Sequence, residues 1–156
     1  GNADSLPTIM ADDRRGSLIT CSFSSNAQPM VDAWTQAFAE TFKNDEGLHI
    51  YQMSLVESRM MSLPGFRHIL LSGGRALQAK ATADNGIAHG LPLAVHFHFG
   101  DTYAIRKALN ITNRLTGYAF LVDTFGRVRF AACGMPEDNE VRAMVDCMRT
   151  ILAERK

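Results

Sequence analysis

The sequence predicts an α/β domain built on a mixed central sheet that is flanked by helices. Segments with the composition of strands alternate with segments of helical periodicity along most of the chain, which is typical of parallel strand pairs. The last part instead reads as a β-hairpin followed by a helix, and a hairpin adds an antiparallel strand. At 156 residues the chain has the length of one domain. We expect an irregular lead-in over residues 1–16 and a single domain over 17–156, with an insertion at about 56–90.

Two strands and one helix are predicted before the insertion. Residues 18–23 are rich in strand formers and give the first strand. An apolar stripe that includes Trp34 predicts a helix, and Pro29 is well placed in its first turn. Residues 48–55 alternate in polarity and give the second strand. Glycines and Pro92 predict a loop where the insertion ends.

The pattern becomes sharper after the insertion. Residues 93–99 predict a strand that ends at a glycine. Asp101 is a natural N-cap for a helix over 102–109, because its carboxylate can accept the free amides of the first turn. Asn110 then predicts the left-handed residue that closes this helix.

The last predicted elements are a β-hairpin and a C-terminal helix. Residues 118–122 and 127–132 predict the two strands of a hairpin, with Gly126 at the position that needs a positive φ. Pro136 and several acidic residues predict the start of a final amphipathic helix. A mixed sheet that ends in a β-hairpin plus helix is the thioredoxin-like pattern.

Composition excludes several functional classes. Acidic and basic residues number 16 each, so no global field favours nucleic acid, and we predict no nucleic-acid partner. No apolar run approaches the roughly 18 residues of a spanning helix, so we expect a soluble or peripheral protein. The chain starts Gly1-Asn2-Ala3, which is typical of a cleaved or a truncated start, so we expect a targeting segment to be absent from this sequence. The three cysteines are widely spaced and odd in number, which favours a reducing compartment.

The cysteines do not form a redox motif. Thioredoxin-like enzymes carry reactive cysteines just after the first strand, whereas residues 24–29 contain none. Cys21 lies within the predicted strand and is interpreted as a small buried hydrophobe. Cys133 and Cys147 are interpreted in the same way, as packing residues. We therefore predict no catalytic residue, although a thiol peroxidase or oxidoreductase that uses Cys21 alone stays as an alternative.

Two further pairs of residues are candidate sites. His96 and His98 share one face of a strand, but a metal site needs more ligands, so we predict no metal and no cofactor. These imidazoles are expected to form hydrogen bonds near the end of the sheet or to contact a partner. Arg127 and Arg129 also share a face, which is either a solvated surface or a docking surface.

Three linked stretches carry a family resemblance. They are residues 95–101 with Arg106 after them, residues 111–118, and residues 120–131 with their D-x-x-G-R turn. In this order and spacing they resemble the mitochondrial ATPase-complex assembly factor ten family, from about residue 91 to residue 152. One departure is Phe130, where tryptophan is expected. Where redox relatives carry a proline before the hairpin, this sequence has Leu115-Thr116-Gly117.

The resemblance implies a function as well as a fold. It implies a thioredoxin-like assembly factor, not an enzyme, on the matrix side of the inner mitochondrial membrane. Such a protein would act as a chaperone for the membrane sector of F-type ATP synthase by protecting newly made subunit a, with peripheral membrane association possible. The alternative is a non-catalytic structural subunit of another mitochondrial complex.

We predict a partner-binding surface instead of a catalytic centre. Some of its members can also be structural: Asp101 as a cap, Gly117 for backbone freedom and Tyr118 in the core. The candidate contact residues are His96, His98, Gly100, Asp101, Arg106, Asn113, Thr116, Gly117, Tyr118, Arg127 and Arg129. A second candidate is the apolar patch of Met60, Met61 and Phe66, for which core packing is the simpler interpretation.

Overall fold

A mixed sheet forms the centre of the protein. The computed structural model describes residues 15–56, 87–88 and 90–154, and within them the sheet has six strands in the order β3-β4-β2-β1-β5-β6. β1, β2 and β4 run parallel, whereas β5, β6 and β3 each pair antiparallel with a neighbour, as predicted for a mixed sheet. The bounds are Gly16–Ser22 (β1), Leu48–Val56 (β2), Ile87–Ala88 (β3), Leu91–Phe99 (β4), Tyr118–Val122 (β5) and Val128–Cys133 (β6).

Three α-helices flank this sheet in the described ranges. They are α1 (Gln28–Phe42), which follows a short 3-10 turn, α2 (Tyr103–Ala108) and α3 (Asp138–Ala153). The helices predicted from the sequence after the first strand, after the third main strand and at the C-terminal end are therefore confirmed. Helix α3 begins with a capping box, in which the side chains of Glu137 and Glu140 each accept a backbone amide of the first turn.

The structure corrects the sequence prediction at two places. The loop predicted before Pro92 contains the two-residue strand β3, which pairs with the start of β4, a pairing too short to leave a pattern in sequence. The N-cap of α2 is Thr102, not Asp101. The Asp101 carboxylate still accepts the amide of Tyr103 at 2.8 Å, so it satisfies the helix start from one position earlier. The candidate patch of Met60, Met61 and Phe66 lies outside the described residues.

Each face of the sheet carries its own core. On one face, α1 and α3 cover Leu18, Ile50 and Leu121. On the opposite face, Cys21, Leu55, Ile111, Tyr118 and Phe120 form a second cluster, against which Ile105 and Leu109 at α2 pack. Because β1 is central, both of its faces are buried, which explains its nearly continuous run of strand formers.

Trp34 fixes α1 to the part of the sheet formed by β5 and β6. Its indole is fully buried and packs edge-on against Phe130, with ring centroids 6.0 Å apart. The indole Nε1 donates a hydrogen bond of 2.9 Å to the carbonyl of Gly134, just after β6. The amide of Gly134 in turn donates to the carbonyl of Gly117 at 2.9 Å, so the helix, the end of β6 and the start of β5 form one connected unit.

Two glycines allow close approach at opposite ends of α1. A Cβ on Gly117 would lie 3.0 Å from the Met30 Cβ and 3.1 Å from the Ala27 carbonyl oxygen. A Cβ on Gly90, which has φ +100°, would lie 2.9 Å from the Lys43 carbonyl oxygen. Helix α1 therefore crosses the sheet diagonally, from the start of β5 to the start of β4.

Substitution of Gly117 tests this close approach. We expect Gly117→Ala to lower the free energy of unfolding by about 1–3 kcal/mol, because backbone and Cβ atoms of α1 must move apart. Gly16→Ala is the matched control, since its new methyl group would meet the flexible thioether of Met148 at 3.0 Å. Both changes also stiffen the unfolded chain equally. Urea denaturation followed by circular dichroism measures the difference, and equal stabilities of the two variants would contradict the role assigned to Gly117.

Candidate functional site

A groove lies at the carboxyl ends of the three parallel strands, on the side of the sheet that α1 covers. Its volume is about 670 Å³. In open α/β sheets this edge is where ligands commonly bind. The groove is lined by Ser22, Phe23, Ser24, Ser25, Gln28, Gln52, Ser54, Leu55, Val95 and Phe97.

The diagonal course of α1 creates this groove. In the parallel register, Gln52 pairs with Val95 and Ser54 pairs with Phe97, so these four side chains share the face toward α1. The first turn of α1, however, sits against Gly117 at the start of β5, two strands away from β2 and three from β4. The apolar side chains of Val95 and Phe97 are consequently only half-buried.

Hydrogen bonds fix one wall of the groove. The Asp32 carboxylate oxygen Oδ1 accepts from the Gln28 amide at 2.8 Å and from the Gln52 amide at 3.2 Å, which links α1 to β2. The hydroxyl oxygen of Ser24 is buried and has no hydrogen-bond partner within the described part of the chain. The ten lining residues that belong to the described part of the chain are all uncharged.

The groove contains no thiol. The stretch from Ser24 to Gln28, where redox proteins of this fold carry cysteines, has none. Cys21 lies in β1 with its side chain in the core of the opposite face, as predicted, and burial raises the pKa of its thiol to about 12. At neutral pH the nucleophilic thiolate of Cys21 is therefore essentially absent.

The other two cysteines differ from each other. Cys133 is exposed, so its prediction as a packing residue was wrong; it ends β6, an edge strand of the sheet. Cys147 is half-buried on α3, as predicted, with its Sγ 3.5 Å from the Arg129 carbonyl oxygen. Burial is the main reason that the pKa of the Cys147 thiol is raised.

The predicted histidine pair lies on the face opposite the groove. His96 stacks on Tyr51 of β2, with ring centroids 6.2 Å apart. The Nε2 atom of His98 is buried and lacks a hydrogen-bond partner among the residues the structure describes. Across residues 15–56, 87–88 and 90–154, no group of three or more His, Cys, Asp or Glu side chains is placed to hold a metal ion.

The candidates around α2 and the following loop make local contacts. Gly100 is exposed with φ +134°, and the Arg106 Nε donates to the Thr102 hydroxyl at 3.3 Å. The Tyr118 hydroxyl donates to the Asn113 carbonyl at 2.8 Å and accepts the Asn113 amide at 3.1 Å, which closes the loop before β5.

Thr116 and Gly117 hold the same loop against α1. The Thr116 hydroxyl and the Gly117 amide approach the Met30 sulfur at 3.5 and 3.4 Å. Thioether sulfur is a weak acceptor, so packing against the methionine dominates these contacts. The loop that replaces the proline of redox relatives thus rests on the first turn of α1, beside the groove.

The two predicted arginines are engaged by acidic residues. The Asp123 carboxylate, nearly fully buried, accepts from the Arg127 Nε at 2.8 Å and from Arg129 at 3.3 Å. Arg129 also forms a bidentate pair with Glu154, at 2.7 and 2.8 Å. Hydrogen bonds to Glu154, and then to Asp123, raise the pKa of Arg129 above its ordinary value.

Asp123 organises the hairpin turn. Its carboxylate also accepts the backbone amides of Phe125 and Arg127, at 2.9 and 3.0 Å. Burial by itself would raise the pKa of Asp123, but the hydrogen bonds from Arg127, Phe125 and Arg129 outweigh it and hold that pKa below its usual value. The predicted contact residues therefore occupy at least three separate places, and none of them lines the groove.

Comparison with known families identifies the chain. The sequence profile of the ATP10 protein family matches residues 7–151. The chain belongs to the ATP10 family. This family is tied to ATP synthase assembly, as the resemblance in the second half of the sequence implied. A search of curated proteins finds no significant match.

Solved structures similar to the ATP10-family chain have the thioredoxin-like fold. A thioredoxin-like protein from Aeropyrum pernix is 10% identical over 86% of this chain and 78% of its own, with a TM-score of 0.50. A Neisseria meningitidis protein assigned as a thioredoxin is 13% identical over 89% and 78% of the two chains, with a TM-score of 0.49. At 10% identity the likeness to the Aeropyrum pernix protein shows the fold alone, and together with the sheet order it confirms the predicted fold class.

None of the helices within the described ranges of this ATP10-family protein is both long enough and apolar enough to cross a bilayer.

We predict that replacing Asp123 lowers the stability of the ATP10-family protein by an amount that depends on pH. The pKa of the Asp123 carboxyl group is lower in the folded protein than in the unfolded chain, where it is about 3.9. The ionised carboxylate therefore stabilises the fold fully above about pH 3.9, and this stabilisation is lost as the pH falls through the pKa of the folded state. We expect Asp123→Asn to cost about 1–3 kcal/mol at pH 7, as for hydrogen bonds to a charged group, and progressively less below pH 4. Urea denaturation at a series of pH values measures this.

The control for Asp123 is an exposed aspartate. Asp146 lies 3.9 Å from Arg149 with both side chains solvated, so Asp146→Asn should leave stability almost unchanged. A pH-independent difference between Asp123→Asn and the unsubstituted protein would refute the assigned role of the carboxylate.

Thiol labelling tests the burial of Cys21 in the native protein. With dithionitrobenzoate at pH 7.5, near neutrality where unperturbed thiols already react, we expect Cys133 to be labelled first and Cys147 more slowly. Cys21 should be labelled only after unfolding, because it is fully buried with a raised pKa. Cys133→Ser removes the fast phase and serves as the control. A fast phase that persists in Cys133→Ser but disappears in Cys21→Ser would revive the single-cysteine enzyme.

Proposed function

We propose that this ATP10-family protein is a non-catalytic assembly factor for the membrane sector of mitochondrial F-type ATP synthase, and that it binds newly made subunit a. The observation that carries the proposal is the family match over residues 7–151. We place the protein at the matrix side of the inner membrane, where a newly made subunit a would be met before it joins its partners.

The chemistry of the described residues supports a binding role. Among the described residues, the lining of the groove at the strand ends includes no thiol and no ionisable side chain that could act as general acid or base for its serine hydroxyls. Cys21, the thiol closest in sequence to the redox position, is sealed in the opposite core. A surface that holds a client needs neither group.

Several surface residues remain proposed contacts for the client. Gly100, Asp101 and Asn113 are exposed, and so is Arg127 beside the exposed ring of Phe125. The buried members of the predicted set, Gly117 and Tyr118, act by holding the loop in place. The groove adds a separate candidate surface, because its half-buried Val95 and Phe97 offer apolar contact.

Affinity capture tests the proposal directly. The tagged full-length protein is isolated from its own mitochondria after chemical crosslinking, and the crosslinked peptides are identified by mass spectrometry. We expect crosslinks to subunit a that disappear when mitochondrial translation is blocked beforehand, because only newly made subunit a should be bound. A mock-tagged strain is the control.

Two results would contradict the assembly role. Capture of a different stable complex, without ATP synthase subunits, would replace the assembly role by that of a structural subunit. Normal accumulation of assembled membrane sector in cells that lack this protein would also contradict the proposal.

A further inference from the structure

We propose that the groove binds an extended, uncharged, apolar segment of a client polypeptide. This inference rests on the proposed function and specifies the part of the client that is held. It follows from three properties of the groove: its charge, the mixture of its lining groups and one unpartnered hydroxyl.

The lack of charge selects the side chains of the occupant. Acidic and basic residues, 16 of each, make up 32 of the 156 positions, yet no charged residue lines the groove within residues 15–56, 87–88 and 90–154. A charged client side chain placed there would lose its hydration without gaining an ion pair, which is costly. The nearby Asp32 carboxylate already accepts hydrogen bonds from Gln28 and Gln52.

The mixture of lining groups selects the backbone conformation. Val95, Phe97 and Phe23 provide apolar contact for client side chains. The hydroxyl and amide groups of the groove provide donors and acceptors beside them; they belong to Ser22, Ser24, Ser25, Ser54, Gln28 and Gln52. A helix has already satisfied its own backbone groups and would not need these partners, whereas an extended segment presents free N–H and C=O groups.

The Ser24 hydroxyl is the most specific of these groups. It is buried in the groove wall without a hydrogen-bond partner in the described part of the chain. Leaving a buried polar atom unpaired costs free energy, and an occupant that supplies a backbone partner recovers it. The residue Ser24 is half-buried, so rotation about its Cα–Cβ bond can turn the hydroxyl toward an occupant whose backbone approaches closely, as an extended segment can.

Peptide binding to the purified full-length chain tests the inference. Three fluorescent 12-residue peptides with terminal lysines for solubility are compared by anisotropy: one rich in valine and threonine, one identical except for a central aspartate, and one helical peptide of alanine and leucine. We expect the first to bind at least tenfold more tightly than the other two. Equal binding of all three, or no binding of the first, overturns the inference.

Variants locate the peptide on the protein. We expect Val95→Asp to weaken binding of the first peptide at least tenfold, whereas Val128→Asp, on the exposed edge strand β6, changes it less than twofold. Ser24→Ala should weaken binding several-fold through the lost hydrogen bond. Binding that is indifferent to Val95→Asp contradicts the location.

A second variant guards against misfolding of Val95→Asp. Ser25 is exposed at the rim, just before α1, where an acidic residue suits the helix start. Ser25→Asp should therefore fold normally and weaken the peptide several-fold, with Ser25→Ala as its neutral control. If the protein dimerises and Val95→Asp only breaks the dimer, the groove is an interface between copies and the inference is wrong.

The two proposals fail separately. Loss of peptide binding in Val95→Asp with normal capture of subunit a would sink the groove as the client site but leave the assembly role intact. Peptide binding by the purified chain without any capture of ATP synthase subunits would sink the assembly role and leave the groove specificity standing.

Discussion

The position of α1 on the sheet is the constraint on which the rest of the structure depends. Its first turn is held against Gly117, its Trp34 side chain is hydrogen-bonded to Gly134, and Lys43, directly after its last residue, approaches Gly90. These contacts lie over β5, β6 and the β3–β4 turn, so the helix cannot lie parallel above β2. As a direct geometric result, α1 does not cover the carboxyl ends of β2 and β4, and these ends form the floor of the groove.

The opposite end of the hairpin is organised by charge instead of packing. Asp123 gathers two backbone amides and two guanidinium groups around one buried carboxylate, and Arg129 carries the connection on to Glu154 beyond α3. The ion pairs there join β5, β6 and the end of α3. The ATP10-family chain has the thioredoxin-like scaffold, and the thiol of Cys21 on β1 is buried in its core. The fold by itself does not specify the function.

Sequence patterns predicted elements whose signals are local. The hairpin with Gly126 and the helix opened near Pro136 follow from turn and capping chemistry, which acts within a few residues. The groove could not be predicted in this way, because Val95 and Phe97 read as ordinary strand residues. Their half-exposure depends on where α1 lies, and that depends on Gly117 and Gly134, which are distant in sequence. The ion pairs of the two arginines could not be predicted for the same reason. The spacing of Arg127 and Arg129 predicted a common face, but only the fold shows that Asp123 and Glu154 form ion pairs with Arg129 there.

The chain contains a single tryptophan, and its position makes tryptophan fluorescence an intrinsic probe of folding. Trp34 is fully buried where α1 meets the end of β6, so its emission reports the docking of this helix and little else. Cys133, directly before the glycine that accepts the indole hydrogen bond, is exposed and can carry a quencher. Detachment of α1 can therefore be followed in real time by quenching between two natural residues, without introducing a fluorophore into the core.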